Sequence, residues 1–402
     1  MKPKAIAAAV VLMVCVGGKL SAAPPEVPRI DWVEPTAIQP QQNDPATIWY
    51  DGFDNAEVDK RYWWHDDDDG DFVPVDYERY GPSGRAMRAR WQQGEVDAGC
   101  LRLLIGANPA GPSVHGTEHF REIYWRLYVK HPRSWRGSPA KLSRATILAN
   151  ADLGQAMIAH VWHGGELLSI DPASGIDEGG QLITQCYNDF MRLQWMGNRR
   201  GRTRLLSASE LGRWICVEAH ARLNTPGQSD GIFTLTIDGK PEASRDDLNW
   251  VGAWDKLGIN GVFLENWWNS GSPKEQERYL DNFVVSTKPV GPMVTSINPK
   301  VTKTAFADPD ADDGPGGWEM EVAADPDGKD VVWRSRTLTG EQSSATVDAQ
   351  TGTFAGTCQG RTALTPGTTC FLRLRQSDRE GNWSDWSLWH SPFVTESPEK
   401  PK

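Results

Sequence analysis

The sequence predicts an all-β protein with two sets of short strands in series, the first an antiparallel sandwich or barrel, on three observations. Short stretches that alternate apolar and polar residues recur along the chain, among them GRAMRARW (84–91), REIYWRLYVK (121–130), AMIAHVWH (156–163), MRLQWM (191–196), GRWICVEAHARLN (212–224), GIFTLTIDG (231–239), NGVFLENWW (260–268) and RYLDNFVVS (278–286). Half-buried antiparallel strands have this period of two. Clusters of Gly, Asn, Asp and Pro separate them, and 39 Gly with 27 Pro among 402 residues supply the turns. No amphipathic helix longer than about two turns stands out.

In chain order, residues 1–23 read as a secretory signal peptide. Lys2 and Lys4 form its basic start, Ala5 to Gly18 its short apolar run, and Ser21-Ala22-Ala23 its small-residue exit. Cleavage near Ala23 would place the chain outside the cytoplasm, secreted or periplasmic. A lipoprotein site at Cys15 is the lesser alternative, because Val14 before it is bulky. No other stretch approaches the ~20 apolar residues of a membrane span. Residues 24–47 are rich in Pro and Gln and read as an irregular lead-in. Residues 48–288 read as the first β-rich domain, KPVGP (288–292) as the Pro/Gly boundary, 289–395 as the second, and 396–402 as a charged tail.

Composition narrows the partners. With 42 Lys+Arg against 53 Asp+Glu the chain carries a net charge of −11, which disfavours broad contact with nucleic acid or an anionic membrane. The 19 Trp outnumber the 11 Phe and the 8 Tyr. Flat aromatic surfaces of this kind grip sugar rings. Export permits disulfides, and Cys358 and Cys370, flanking a turn-rich segment, are the expected pair. Cys100, Cys186 and Cys216 allow at most one further bridge. Asp308, Asp310, Asp312 and Glu319 have calcium-loop spacing, but Asp313 stands where the tight-turn Gly belongs, so a solvated acidic loop is expected. The run from Asp66 to Asp69 with Gly70 and Asp71 reads the same way.

Two resemblances sharpen this. LTPGTTCFLRLRQSDREGNWSDWSLW (364–389) resembles the last two strands of a fibronectin type III domain: Leu364, Pro366, Gly367 and Thr368 match, and Cys370 occupies the corner-tyrosine position. A bridge from Cys370 to Cys358 would replace the tether of that tyrosine. Trp383-Ser-Asp-Trp386-Ser resembles the Trp-Ser-x-Trp-Ser signature of cytokine-receptor modules, with Arg373 and Arg375 placed to stack between the tryptophans. In the first domain, Trp214, Glu218, Leu223, Asn224, Thr225, Pro226 and Gly227 lead into Asp230-Gly231 and Asp238-Gly239, and Tyr279-x-Asp281-Asn282-Phe283 closes the unit. This pattern resembles concanavalin A-like jelly rolls, especially polysaccharide lyases of the alginate and glucuronan type. The resemblance implies a saccharide groove on the concave sheet. It also implies no required cofactor, with a structural calcium at Asp281 and Asp54 or Asp51 as an option.

Period-two arithmetic then sorts side chains. Ile123, Trp125, Leu127 and Val129 face the core, leaving Glu122, Tyr124, Arg126, Tyr128 and Lys130 opposite. Ile215, Val217, Ala219 and Ala221 face the core, leaving Trp214, Cys216, Glu218, His220 and Arg222 opposite. Ile158, His160 and Trp162 share a face, as do Arg192 and Gln194. Put in one groove, these residues suit β-elimination on a uronate-containing polysaccharide. Arg126, Arg192 or Arg222 would neutralise the substrate carboxylate, helped by Gln194. His160 or His220 would take the C5 proton, and Tyr124 would act as acid, or as both base and acid. Glu122, Tyr128, Trp162, Glu218 and Trp268 complete the binding surface. The alternatives are a glycoside hydrolase using Glu122 and Glu218, and a non-catalytic lectin-like adhesion protein.

Overall fold

A computed structural model describes residues 23–36, 40–55, 57–80, 84–139, 141–309 and 313–397. The expectations for residues 1–22 with Cys15, for Asp310 and Asp312, and for the tail beyond 397 lie outside the described residues.

The fold is all-β, as predicted. Residues 47–286 form two antiparallel sheets packed face to face. The first runs, in spatial order, Gln194–Trp195, Leu167–Ser174, Gln155–Gly164, Lys141–Leu148, Gly261–Glu265, Cys100–Leu104 and Trp64–Asp66, and Arg199–Arg204 also pairs with Leu167–Ser174. The second runs Lys240–Leu248, Gly231–Ile237, Trp214–Arg222, Glu122–Lys130, Gln276–Ser286, Ala86–Trp91 and Phe72–Val75, with Thr47–Asp51 also on Gln276–Ser286. Period two decides what lies between them. Ile123, Trp125, Leu127, Val129, Ile215, Val217, Ala219 and Ala221 from the second sheet pack into one core with Ala145, Ile147, Met157, Ala159 and Val161 from the first. Each large side chain so buried contributes about 1.5–3 kcal/mol. The Asp238-Gly239 turn is left-handed at both residues (φ 52° and 70°), as the two-residue hairpin between Gly231–Ile237 and Lys240–Leu248 requires.

MRLQWM does not extend as one strand. Asp189 accepts the Gln185 amide at 2.9 Å and the Arg192 guanidinium at 3.0 Å. Its carbonyl takes the amides of Arg192 and Leu193. The chain therefore coils there, and only Gln194–Trp195 is extended.

The second sandwich pairs a seven-stranded sheet, centred on Pro315–Ala323 and Thr369–Asp378, with a three-stranded one. Trp318, Trp333, Leu372 and Phe393 lie in its core. The lead-in is not irregular throughout. Ile30–Val33 forms an edge of the three-stranded sheet against Lys300–Lys303, because Ile30 and Val33 find their apolar partners in this core. Four residues are too few for alternation to register in a sequence.

The expected bridge is absent. Cys358 and Cys370 are both buried in the second core as free thiols, and Cys100, Cys186 and Cys216 are free as well. Cys358 lies in the tight turn Gly356–Cys358, and its Sγ meets Thr365 Oγ1 at 3.4 Å.

The tryptophan–arginine ladder does form. Arg375 stacks on Trp383 and Trp386 at 4.6 and 4.7 Å, and Arg373 on Trp386 and Trp389 at 4.6 and 4.7 Å. Glu319 and Glu321 of the neighbouring strand fix the two guanidinium groups at 2.8 and 2.7 Å. Arg373→Ala or Trp386→Ala should lower the melting midpoint of this sandwich, each cation–π contact contributing about 0.5–2 kcal/mol. Thermal unfolding followed by tryptophan fluorescence checks this, and midpoints equal to wild type would exclude a stabilising ladder.

Candidate functional site

The residues expected in one groove lie on opposite sides of the molecule. On the outer face of the second sheet the register places Tyr124 opposite His220, Arg126 opposite Glu218, and Glu122 opposite Arg222. The Tyr124 and His220 rings stack at 4.1 Å, and His220 Nε2 lies 2.8 Å from Glu122. This much follows the predicted alternation. One end of the face is nevertheless covered, while Glu122, Tyr124, His220 and Arg222 stay partly exposed. Arg126 is 0% exposed, stacked over the Tyr128 ring. Glu218 accepts the amides of Val290 and Gly291, and the Tyr128 hydroxyl accepts the Met293 amide. The segment joining the two sandwiches thus lies on Glu218 and Tyr128. Burial pushes Glu218 up and His220 down from their ordinary pKa values.

His160 and Trp162 stand on the outer face of the first sheet, across the core. Tyr124, Arg126 and His220 therefore cannot share a site with His160. Strand alternation gives the face of a sheet but not which sheet of a sandwich a strand joins. Arg192 is half exposed and paired with Asp189, while Gln194 is exposed on the edge. Trp268 is core, 2% exposed and packed against Trp91 and Trp135. Asp281 is buried and accepts the Tyr80 amide, and Asp51 is engaged by Arg61, Tyr62 and the Phe53 amide. Among the described residues, the acidic trios close enough to share a cation are Asp68, Asp71 and Glu95, and Asp308, Asp313 and Asp378. Asp54 and Asp281 are in neither.

A cleft of about 470 Å³ opens on the outer face of the first sheet, with Lys141, His160, Trp162, Asn188, Trp195 and Trp267 around it. Two cross-strand rows build its floor. One is Ser169, Trp162, Lys141, and the other is Asp171, His160, Arg144, Phe263. An irregularity between Lys141 and Ser143 puts Lys141 and Arg144, three residues apart, on the same face. The Trp162 and Trp195 rings are parallel within 4°, and His160 is stacked 5.4 Å from Trp162. Trp267, 41% exposed, forms the other wall.

Glu265 is the electrostatic centre. It accepts from Arg144 Nη2 at 2.6 Å, lies 3.3 Å from His160 Nε2, and has Lys141 Nζ at 3.9 Å. These cations hold its carboxyl well below the usual carboxylate range against the opposing effect of burial. Arg144 also donates to Asn188 Oδ1 at 2.8 Å and to the Tyr187 hydroxyl. His160 is 1% exposed, and desolvation lowers its pKa to about 4, so its imidazole is neutral at ordinary pH. Burial lowers Lys141 and raises Tyr187 from their ordinary pKa values. Asp171, beside His160 in register, is pushed up to about 6 by desolvation.

The histidines make stability depend on pH. Burial depresses His160 to about 4 and takes His131, His163 and His390 well below their ordinary value. No nitrogen of His131 or His163 has a hydrogen-bond partner among the described residues. Below the unfolded imidazole pKa of ~6.5 the unfolded chain binds more protons than the folded one. Stability should therefore be constant with respect to these groups above about pH 7 and fall as pH drops from ~6.5 toward 4. A series of melts across that window checks it, and a midpoint that holds steady to pH 4 would refute it.

Sequence reasoning missed Lys141, Arg144, Asp171, Tyr187, Asn188, Phe190, Trp195, Glu265 and Trp267. Glu265 ends an apolar run, and Trp267 differs from the chosen Trp268 by one residue, which reverses the face. The loop residues Tyr187 and Asn188 carry no periodic signal.

No family model matches the chain, and no curated protein matches it significantly. Among solved structures, an endo-β-1,4-glucuronan lyase from the fungus Trichoderma reesei is similar at 11% identity, covering 60% of this chain and 96% of that one with a TM-score of 0.43. A PL-14 alginate lyase from Aplysia kurodai is similar at 14% identity, covering 60% and 99% with a TM-score of 0.43. The globular domain of T. cruzi calreticulin is similar at 10% identity, covering 60% and 88% with a TM-score of 0.34.

Proposed function

We propose that this is an exported polysaccharide lyase that cleaves a uronate-containing polymer by β-elimination in the cleft of the first sheet, with a fibronectin type III-like second sandwich. The observation that carries the reading is a neutral imidazole, His160, and a partly desolvated ammonium, Lys141, on the floor of a cleft walled by tryptophans. The tryptophan faces hold sugar rings. Lys141, with the Asn188 amide, neutralises the carboxylate and so acidifies the C5 proton. Arg144 has both terminal nitrogens engaged by Glu265, Asn188 and Tyr187 and positions rather than binds. His160 takes the C5 proton, the C4–O bond breaks, and the departing oxygen takes a proton from the Tyr187 hydroxyl, which burial keeps protonated. The reaction so written calls on no cofactor.

The product carries a C4–C5 double bond that absorbs ultraviolet light. Incubating the full-length protein with alginate, glucuronan and neutral glycans, and reading both absorbance and new reducing ends, tests the proposal. Rising absorbance with at least one uronate polymer is expected. Reducing ends without absorbance would instead support hydrolysis. Asp171 favours that second reading, since a carboxyl with its pKa near 6 suits a general acid, with Glu265 as the ionised partner. Binding with neither signal would leave a lectin.

A further inference from the structure

The strand Arg199–Arg204 holds four arginines in six residues at one edge of the first sheet, in a chain whose net charge is −11. Its register places Arg200 opposite Ser169, which extends the cleft row to Arg200, Ser169, Trp162, Lys141. The guanidinium follows the register. A Cβ on Gly164, two residues beyond Trp162, would lie 3.1 Å from Ser169 Oγ and 3.6 Å from Arg200 Nε, so Arg200 lies over the cleft face. Farther along the same strand, Arg202 and Arg204 line a cavity of about 630 Å³ between the two sandwiches, with Lys240 opposite and Trp389 and His390 supplied by the second sandwich. Each acid of that cavity already has a cationic partner, Asp327 pairing with Lys329 at the surface. Glu210 and Asp238 both pair with the buried Arg213. Among the described residues the ion pairs of this edge are Arg204–Glu166 and Arg245–Asp247; the Glu242 carboxylate accepts the backbone amides of Arg202 and Thr203, and neither the Arg200 nor the Arg202 guanidinium is in an ion pair. At the opposite edge of the sheet, Trp64–Asp66 leads into Asp67, Asp68, Asp69 and Asp71, which repel an anion.

We propose that an anionic polysaccharide extends from the tryptophan cleft in one direction only, over Arg200 and into the groove between the sandwiches at Arg202 and Lys240. Three strand spacings separate Lys141 from Arg200, about 14 Å, so the polymer contacts several successive residues on this side of the cleft. The second sandwich thereby forms one wall of the polymer path. The inference rests on the polysaccharide reading of the cleft but not on which bond-breaking chemistry occurs there.

The test is retention of full-length protein in a native gel containing alginate, at low and at physiological salt. Arg200→Gln with Arg202→Gln should weaken retention at least about tenfold, as the loss of charge-assisted hydrogen bonds implies, and should flatten the salt dependence. Arg336→Gln with Arg361→Gln removes the same charge from exposed positions on the second sandwich and should leave retention unchanged. Equal loss in both double variants would reduce the effect to bulk charge and overturn the proposal. So would wild-type retention in the Arg200/Arg202 variant, or no retention of the wild type. The lyase reading fails separately: absent ultraviolet product with Arg200/Arg202-dependent retention would sink the chemistry and keep the track.

Discussion

His160→Ala is expected to reduce the appearance of unsaturated product by about 10²–10⁴-fold, the usual loss when a positioned acid or base is removed. Tyr187→Phe should fall in the same range. Tyr124→Phe and His220→Gln should stay within a few-fold of wild type, because their stacked pair lies on the outer face of the second sheet, across the core from the cleft. Initial rates by ultraviolet absorbance, with circular dichroism to verify folding, decide this. An active His160→Ala protein would remove the imidazole from the mechanism. An inactive but folded Tyr124→Phe protein would move the site to the other sheet.

Glu265→Ala should be the most destabilising single change in the cleft. Arg144 is fully buried and relies on this carboxylate, and Lys141 shares it. Taking one partner from a buried ion pair leaves an uncompensated charge and costs about 3–5 kcal/mol. Glu265→Gln keeps an acceptor for Arg144 and should cost less. Denaturant unfolding measures both, with an unchanged slope showing that stability alone has altered. A loss under about 1 kcal/mol for the alanine variant would mean that water replaces the carboxylate and that Glu265 is not the counter-ion assumed here.

The two faces of each long strand were legible because the side-chain period in a strand is two. Trp125, Val129, Val217 and Ala221 are core as alternation requires, and His160 and Trp162 share a face. Where the backbone leaves that period, the reading failed. The irregularity at Lys141 and Ser143 put Lys141 and Arg144 together. The coil at Asp189 removed Arg192 from any strand face. The one-residue step between Trp267 and Trp268 exchanged cleft for core. The Trp383–Arg375–Trp386–Arg373–Trp389 ladder needed only two adjacent strands and one strict alternation, and it formed as expected.

By itself, then, the sequence determined the all-β class, the short-strand architecture and the inward residues of the long strands, all of which are local consequences of alternation and turn chemistry. Tertiary structure alone decided which sheet each strand joined, because hydrogen-bonded partners far apart in the chain are chosen by the packing of the whole core. That choice put Glu218 and Tyr128 beneath the segment joining the sandwiches, and brought Lys141, His160, Tyr187 and Glu265 together from four separate segments of the chain. It also gave Ile30–Val33 to the second sandwich, since an edge strand is held by the partner that buries its apolar side chains.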